Sequence, residues 1–434
     1  MKKPQSSRFF QRPATKTGWW AGGLAIIAML MLAMNNLGLN PFAQITTFDP
    51  SFLVTAYDLT MFSCLIGSIV LGVIALTGKR ERSWMVCLFM VPVLVLVVAV
   101  TFLLFERMTY SGRVEAVPTP DANIDRMAVI YDDDGSPDGT SALLFLLSEP
   151  RAEVKAVSLS YGEAHPQVYI QHLGWMLERY GYGDMPLGAG QDAPLAGDNR
   201  FPDPVREASN GFWGFAPASA DQTYPVQDSA ELMVKTIRQS GEPVTLFVSG
   251  ALTNLAQALQ METGIRENIA AVFIMGGAVY VPGNLNDLLS DTENTVAEWN
   301  IYADPQAASE VFASGLNLYL VPLDATNQVH LTRQDIGVWR KGGSIPDFAA
   351  DIYDSLMGAW GEDEIEIWDL MTAEIMMNPG HCTSTPLRLE VVTAEGNTQG
   401  QTRVVEGDAN VNVCLEPDGE AIKQMLGEVF SSRK

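Results

Sequence analysis

Positive charge, cysteine and histidine are all scarce in this chain of 434 residues: 27 Lys and Arg stand against 51 Asp and Glu, with four Cys and four His. So few cysteines exclude a disulfide-scaffold miniprotein. Hydrophobic residues make up 47% and charged residues 18%, enough to build and cover cores, which excludes a coiled coil and a bulk disordered chain. Internal repeats and low-complexity segments are also lacking. The shortage of positive charge is uneven. Through Tyr110 there are nine basic and four acidic residues, so the remainder carries 18 basic and 47 acidic groups, a net charge of −29. A surface so acidic is not drawn to a phosphate backbone, so no nucleic-acid partner is expected.

Three long apolar stretches contain no charge at all: residues 19–37, 59–76 and 84–105. Each is near the roughly 20 residues needed to cross a hydrocarbon core. Together they predict a membrane domain over residues 1–110 with three transmembrane helices, and the lipid bilayer as a partner. The leader holds five basic residues, Gly38 to Tyr57 none, and the second connection reads Lys79-Arg80-Glu81-Arg82. Because Lys and Arg stay on the cytoplasmic side, the N-terminus is expected inside and the C-terminal domain outside the cytoplasmic (inner) membrane, in the periplasm if an outer membrane exists. Trp19, Trp20 and Trp84 sit at span ends, where indole prefers the interface. No intramembrane charge points to transport. Cys382 and Cys414 fall in the exported part, where either a disulfide or two buried thiols is compatible with the sequence.

After a linker at 111–125, residues 126–434 alternate short β-rich runs with helical ones. Strands are predicted at 127–131, 154–160, 244–248, 270–275 and 316–321, and helices at 140–147, 167–180, 229–239, 254–260, 305–313 and 369–377. Nearly continuous apolar strands, each followed by a helix, predict an α/β fold with an open, mostly parallel, Rossmann-like sheet covered on both faces. Residues 387–414 read as a late β-hairpin region. Ligands of such sheets bind beyond the carboxyl ends of the strands.

The most informative junction is Tyr131 followed by Asp132-Asp133-Asp134-Gly135-Ser136-Pro137-Asp138-Gly139. Four carboxylates within seven residues repel each other unless a cation neutralises them, and hard divalent cations take such oxygen ligands. The first five residues resemble the loop of haloacid-dehalogenase-like phosphatases, which would make Asp132 a nucleophile and Asp134 an acid/base beside Mg²⁺. No later Lys and acidic pair supports that resemblance.

A second resemblance covers almost the whole exported domain. Ser249-Gly250-Ala251-Leu252-Thr253-Asn254-Leu255-Ala256, Met275-Gly276-Gly277-Ala278, Gly283-Asn284, and the run from Ala297 to Ala308 through Glu298-Trp299-Asn300-Ile301-Tyr302-Ala303-Asp304-Pro305 occur in order. Leu323-Asp324-Ala325-Thr326-Asn327 and Trp368-Asp369-Leu370-Met371-Thr372-Ala373 with Asn378-Pro379 follow. These segments, with the acidic loop, resemble the inosine-uridine-preferring nucleoside hydrolase family. The resemblance implies that family's fold and hydrolysis of the N-glycosidic bond of a ribonucleoside or related N-ribosyl compound, giving free base and ribose. It also implies Ca²⁺ held by loop aspartates (Asp132, Asp133, Asp134 and Asp138), the backbone carbonyl of Ser249, and Asp369.

A loop carboxylate, Asp134 or else Asp133 or Asp138, would be the catalytic base. Asn284, Glu298 and Asn300 would bind the ribose hydroxyls, with Glu298 and Asn300 on one side if locally extended. Asp369 also reads as a helix N-cap, and Asp304 as the cap of the helix after it.

The chain departs from the family pattern at three points. With Asp132, Asp134 and Asp138 on the first three family aspartates, Gly139 replaces the fourth, normally a metal ligand. A one-residue slip places Asp133 and Asp138 on the two ligand positions instead, and the sequence leaves both registers open. Gly162-Glu163 replaces a Gly-Asn pair, so Glu163 offers a substitute carboxylate. Trp368 stands where a His often donates a proton to the leaving base; it cannot transfer that proton but can stack on the base. Two functions follow from these readings: an N-ribosyl hydrolase, or a degenerate ribosyl-ligand-binding or interaction module tethered to the membrane. The resemblance is compatible with a homo-oligomer.

Overall fold

The computed structural model describes residues 124–215 and 223–432, all within one compact unit, Val114–Lys434. The three apolar stretches and most of the linker lie outside the described residues. Among the described residues no helix is long and apolar enough to cross a membrane.

Thirteen strands are described: β1 (Met127–Asp133), β2 (Ala152–Leu159), β3 (Leu187–Ala189), β4 (Val226–Asp228), β5 (Val244–Ser249), β6 (Ile269–Met275), β7 (Leu318–Val321), β8 (His330–Thr332), β9 (Glu364–Glu366), β10 (Cys382–Leu387), β11 (Leu389–Val391), β12 (Thr402–Val404) and β13 (Val411–Pro417). Nine form one sheet in the order β10-β13-β7-β6-β5-β1-β2-β3-β4, and every pairing is parallel except β10 with β13. The sheet is therefore mixed but mostly parallel. The region expected as a late hairpin contributes β13, which lies between edge strand β10 and β7, and an antiparallel pair, β11 with β12; a second small pair joins β8 to β9.

The apolar run of β1 explains its central place. Val129 and Tyr131 pack on one face with helices Pro137–Ser148, Ser344–Trp360, Asp369–Met377 and Gly419–Ser432. Ala128 and Ile130 pack on the other with helices Ser229–Gln239, Thr253–Met261 and Pro305–Phe312. A strand buried on both faces requires this unbroken apolar character. Tyr131 also stacks on Phe247 of β5, with centroids 5.4 Å apart.

Cys382 and Cys414 are disulfide-bonded, with Cα atoms 5.8 Å apart, and join β10 to β13. Closing a 32-residue separation removes denatured-state entropy worth about 3–4 kcal/mol. Cys414→Ser should lower unfolding stability by roughly that amount in denaturant titrations, and reductant should then have no further effect. An unchanged midpoint would show that the bond constrains nothing in the unfolded chain.

Beside this bond, Glu374 of the Asp369–Met377 helix is fully buried against His381 Nδ1 at 2.8 Å and Asn378 Nδ2 at 2.9 Å. Burial pushes its carboxyl up to about 8, against smaller opposing effects of Asn378 and Arg151. The unfolded chain releases this proton near its ordinary value while the folded chain holds it, so stability falls as pH rises from about 5 to about 8. Glu374→Gln should flatten that slope and gain up to a few kcal/mol at pH 8 relative to pH 5. Melting curves at the two pH values measure it, and parallel shifts for both proteins would refute it.

Candidate active site

From β1 the chain runs outward through β2, β3 and β4, then returns to β5 on the other side of β1. The topological switch point thus lies at the carboxyl ends of β1 and β5, where open α/β sheets bind ligands. A cavity of about 230 Å³ opens there. Nine of the eleven residues expected from the sequence line it: Asp134, Asp138, Glu163, Ser249, Asn284, Glu298, Asn300, Trp368 and Asp369.

Asp132 and Asp133 lie beneath it instead. Asp132 accepts hydrogen bonds from Ser158 Oγ and from Asn254 Nδ2 (2.8 Å), an internal tie between β1, β2 and the helix after β5. Asp132 therefore does not line the cavity, and its second oxygen, Oδ2, is buried with no hydrogen-bond partner. Asp133 accepts from Gly135 N (2.7 Å) and Ser249 Oγ (2.9 Å), the residue paired with it across β1 and β5.

Position 139 explains where the Asp133 carboxylate sits. A β-carbon on Gly139 would collide with that carboxylate, so the two compete for one space. Asp133 fills the volume into which a side chain at 139 would project. The Asp134 carboxylate similarly lies over Gly162, where a β-carbon would displace it.

Asp138 is in the first turn of the Pro137–Ser148 helix, whose N-cap is Ser136. Its carboxylate accepts from Tyr353 Oη, Trp368 N (2.8 Å) and Asp369 N (2.5 Å). Asp369 was expected as an N-cap, but Trp368 holds that position and Asp138 caps the helix from outside. The Asp369 side chain is thereby released toward the cavity, steadied by Ser136 Oγ at 2.8 Å.

Glu298 is extended, but Asn300 already lies in the helix that follows it. Glu298 is the N-cap of the Trp299–Ala303 helix and accepts from Asn300 N, Ile301 N and Gly277 N at 2.9, 3.2 and 2.8 Å. Three of its roughly four acceptor positions are taken, leaving about one for a ligand. Asn284 Oδ1 accepts from Trp299 N at 3.2 Å, and Asn300 Nδ2 donates to Met275 O at 3.2 Å. Asp304 caps the Pro305–Phe312 helix as expected.

Electrostatics mark the carboxylates as one group. Burial, then the charges of Glu163 and Asp133, hold the Asp134 carboxyl well above its ordinary range. Burial, then Asp138, Asp133 and Asp134, do the same to Asp369. Glu163 is pushed up to about 8 by burial and the charges of Asp133 and Asp138, and Asp133 to about 7, mainly by burial. One Glu163 oxygen, Oε2, is buried with no hydrogen-bond partner. None of the four His lines the cavity: His165 pairs with Asp192, His172 with Asn210 O, His330 with Glu366 and His381 with Glu374.

The donor set fits a hard cation in chemistry, being oxygen-only and mutually repelling, and unpartnered carboxylate oxygens of Glu163 and Asp132 are buried beside it. Among the described residues no three His, Cys, Asp or Glu side chains are gathered closely enough to enclose one. Hydrogen bonds from Ser136 to Asp369 and from Tyr353 to Asp138 hold those carboxylates in place.

Sequence reasoning did not find the aromatic lining: Phe201, Trp213, Trp299 and Trp360. Phe201 stacks on Trp299 (4.4 Å), and Trp360 meets Trp368 edge-on (6.4 Å). Trp299 lay within a quoted motif, but the other three come from separate segments with no spacing signal.

An acidic, aromatic-walled cavity at the switch point of a mostly parallel sheet defines a ligand-binding α/β protein, and comparison with known proteins gives its family. The model of the inosine-uridine preferring nucleoside hydrolase family matches residues 129–424. The pyrimidine-specific ribonucleoside hydrolase RihA of Klebsiella pneumoniae (strain 342) is 31% identical over 315 residues, covering 70% of this chain and 97% of that protein. RihA of Escherichia coli O7:K1 is 30% identical with the same coverage. In fold, a plant nucleoside hydrolase superposes with TM-score 0.62 at 24% identity, covering 70% of this chain and 99% of that one. The purine-preferring ribonucleoside hydrolase of Gardnerella vaginalis gives 0.62 at 22%, covering 70% and 98%. The chain belongs to the inosine-uridine preferring nucleoside hydrolase family, and its homologues are N-glycosidases.

Proposed function

We propose that this chain hydrolyses the N-glycosidic bond of a ribonucleoside or related N-ribosyl compound, releasing base and ribose outside the cytoplasmic membrane, with Ca²⁺ as cofactor. The observation that carries this reading is the convergence of Asp134, Asp369, Ser249, Asn284, Glu298 and Asn300 on one cavity at the switch point.

Asp134, Asp369, the Ser249 carbonyl and Asp133 would hold the cation. Asp133 takes the space that Gly139 leaves, so the chain keeps a carboxylate where the loop motif had lost one. That exchange favours the enzyme over the ribosyl-binding module. When bound, Ca²⁺ would lower the pKa of water and orient ribose hydroxyls. Asp134 takes the proton from the attacking water as general base. Asn284 and Asn300, with the remaining acceptor position of Glu298, fix the ribose hydroxyls while positive charge grows at C1′. Asp138 acts through Asp369 by capping its helix. Trp368 offers a face to the base.

Product analysis tests the reaction: uridine or inosine should yield base and free ribose in equal amounts, and intact nucleoside after long incubation would refute it. Asp369→Ala should weaken Ca²⁺ binding at least tenfold by calorimetry; unchanged affinity in a folded variant removes Asp369 from the ligand set. The external location rests on the Lys and Arg distribution, and the Cys382–Cys414 bond is compatible with it. A C-terminal reporter active only in the cytoplasm would overturn it.

A further inference from the structure

We propose that Tyr353 is a positioning residue of the hydrolytic site: its hydroxyl fixes Asp138, and through Asp138 it sets the direction in which Asp369 meets the cation. The proposal deepens the hydrolase reading and rests on it for the cation.

Tyr353 belongs to none of the family-like motifs; it lies on the Ser344–Trp360 helix, which packs against the Pro137–Ser148 helix that carries Asp138 in its first turn. Tyr353 is fully buried, and its hydroxyl donates to Asp138 Oδ1. Among the described residues no other side chain donates to Asp138. The second carboxylate oxygen, Oδ2, accepts from Trp368 N and Asp369 N at 2.8 and 2.5 Å. A carboxylate is planar and rigid, so a donor that holds Oδ1 also fixes where Oδ2 points. The two N–H groups that Oδ2 meets open the Asp369–Met377 helix, and Trp368 at its N-cap supplies no side-chain bond of its own. Asp138 therefore does the capping, and Tyr353 aims it.

The effect reaches the cavity through Asp369, which is held at its backbone by Asp138 and at its side chain by Ser136 Oγ, 2.8 Å away. Loss of the phenol leaves Ser136 as the remaining side-chain support of that ligand's direction. The hydroxyl, rather than the ring, carries this role. The ring packs edge-on against Trp339 at 5.7 Å, a contact that Phe would keep. On the same helix face, Leu356 and Trp360 line the cavity, so the Tyr353 bond also ties that wall to the acidic loop.

Calorimetric Ca²⁺ titration of the full-length chain tests the proposal, with Tyr182→Phe as a matched control. Tyr182 Oη donates to Leu147 O at 3.0 Å and does not line the cavity, so its removal deletes a phenol bond away from the site. Tyr353→Phe should weaken Ca²⁺ binding about tenfold, the scale expected of a residue that orients a metal ligand, while Tyr182→Phe leaves the affinity unchanged. Hydrolysis by Tyr353→Phe should fall at limiting Ca²⁺ and recover most of its kcat at saturating Ca²⁺. Added to Asp138→Ala, Tyr353→Phe should weaken binding by less than about twofold further, because the two residues act in series. Parent affinity in Tyr353→Phe, an equal loss in Tyr182→Phe, or additive losses with Asp138→Ala would overturn the inference and leave the hydrolase reading intact. About tenfold weaker Ca²⁺ binding by Tyr353→Phe, in a chain that cleaves no riboside, would retain the positioning role and overturn the hydrolase reading.

Discussion

Replacing Asp134 by Asn is expected to lower kcat/KM for riboside hydrolysis by about 10³-fold, within the range associated with loss of a general base. The substitution preserves the shape of a side chain packed over Gly162 and still lets Glu163 N donate to its oxygen, now at 3.1 Å. What it removes is the ability to accept a proton, so saturating Ca²⁺ should not restore the rate. The same change should raise the stability of the metal-free protein, because the Asp134 carboxyl is buried among the charges of Glu163 and Asp133. A fall in activity with a rise in melting temperature separates catalysis from folding. Activity within tenfold of the parent would show that another group takes the proton.

The second large effect is expected at Gly139. Gly139→Asp restores the letter of the family motif but drives a side chain into the Asp133 carboxylate. Both groups are buried, so the variant gains overpacking and an additional like charge, together costing about 2–4 kcal/mol. Calcium binding should fall as Asp133 is displaced. Asp133→Ala alone should also weaken Ca²⁺ binding, yet the double variant should recover both stability and affinity toward the parent. Such non-additivity is the signature of two residues sharing one space. Additive losses, measured by denaturation and calorimetry, would show that Asp133 and position 139 do not substitute for each other.

The sheet was legible wherever a strand was long enough to show continuous apolar character. The five predicted strands correspond to β1, β2, β5, β6 and β7, with ends shifted by at most two residues. Strands β3 and β4 have three residues each, too few for any periodicity. The 17-residue helix Ser344–Trp360 was missed because it starts in a Gly342-Gly343-Ser344-Ile345-Pro346 run that reads as a loop. Pro346 in its first turn and left-handed Gly361 after its end are nonetheless ordinary helix boundaries. That omission also hid Trp360 from the cavity.

Most of the site was legible because its residues lie in ordered motifs. The placements of Asp133 and Asp138 were not, since they depend on which backbone groups and which vacant volumes their carboxylates meet. Asp134 and Asp138 line the cavity, whereas Asp132 and Asp133 lie beneath it. In the proposed site Asp133 would supply from the strand end the carboxylate that Gly139 cannot.

The most direct test of the account is release of reducing sugar from N-ribosides by the purified full-length chain, first in Ca²⁺ and then in excess chelator. The account predicts ribose release that chelator abolishes and added Ca²⁺ restores. A folded protein that releases no ribose in Ca²⁺, or releases it equally in chelator, would contradict it.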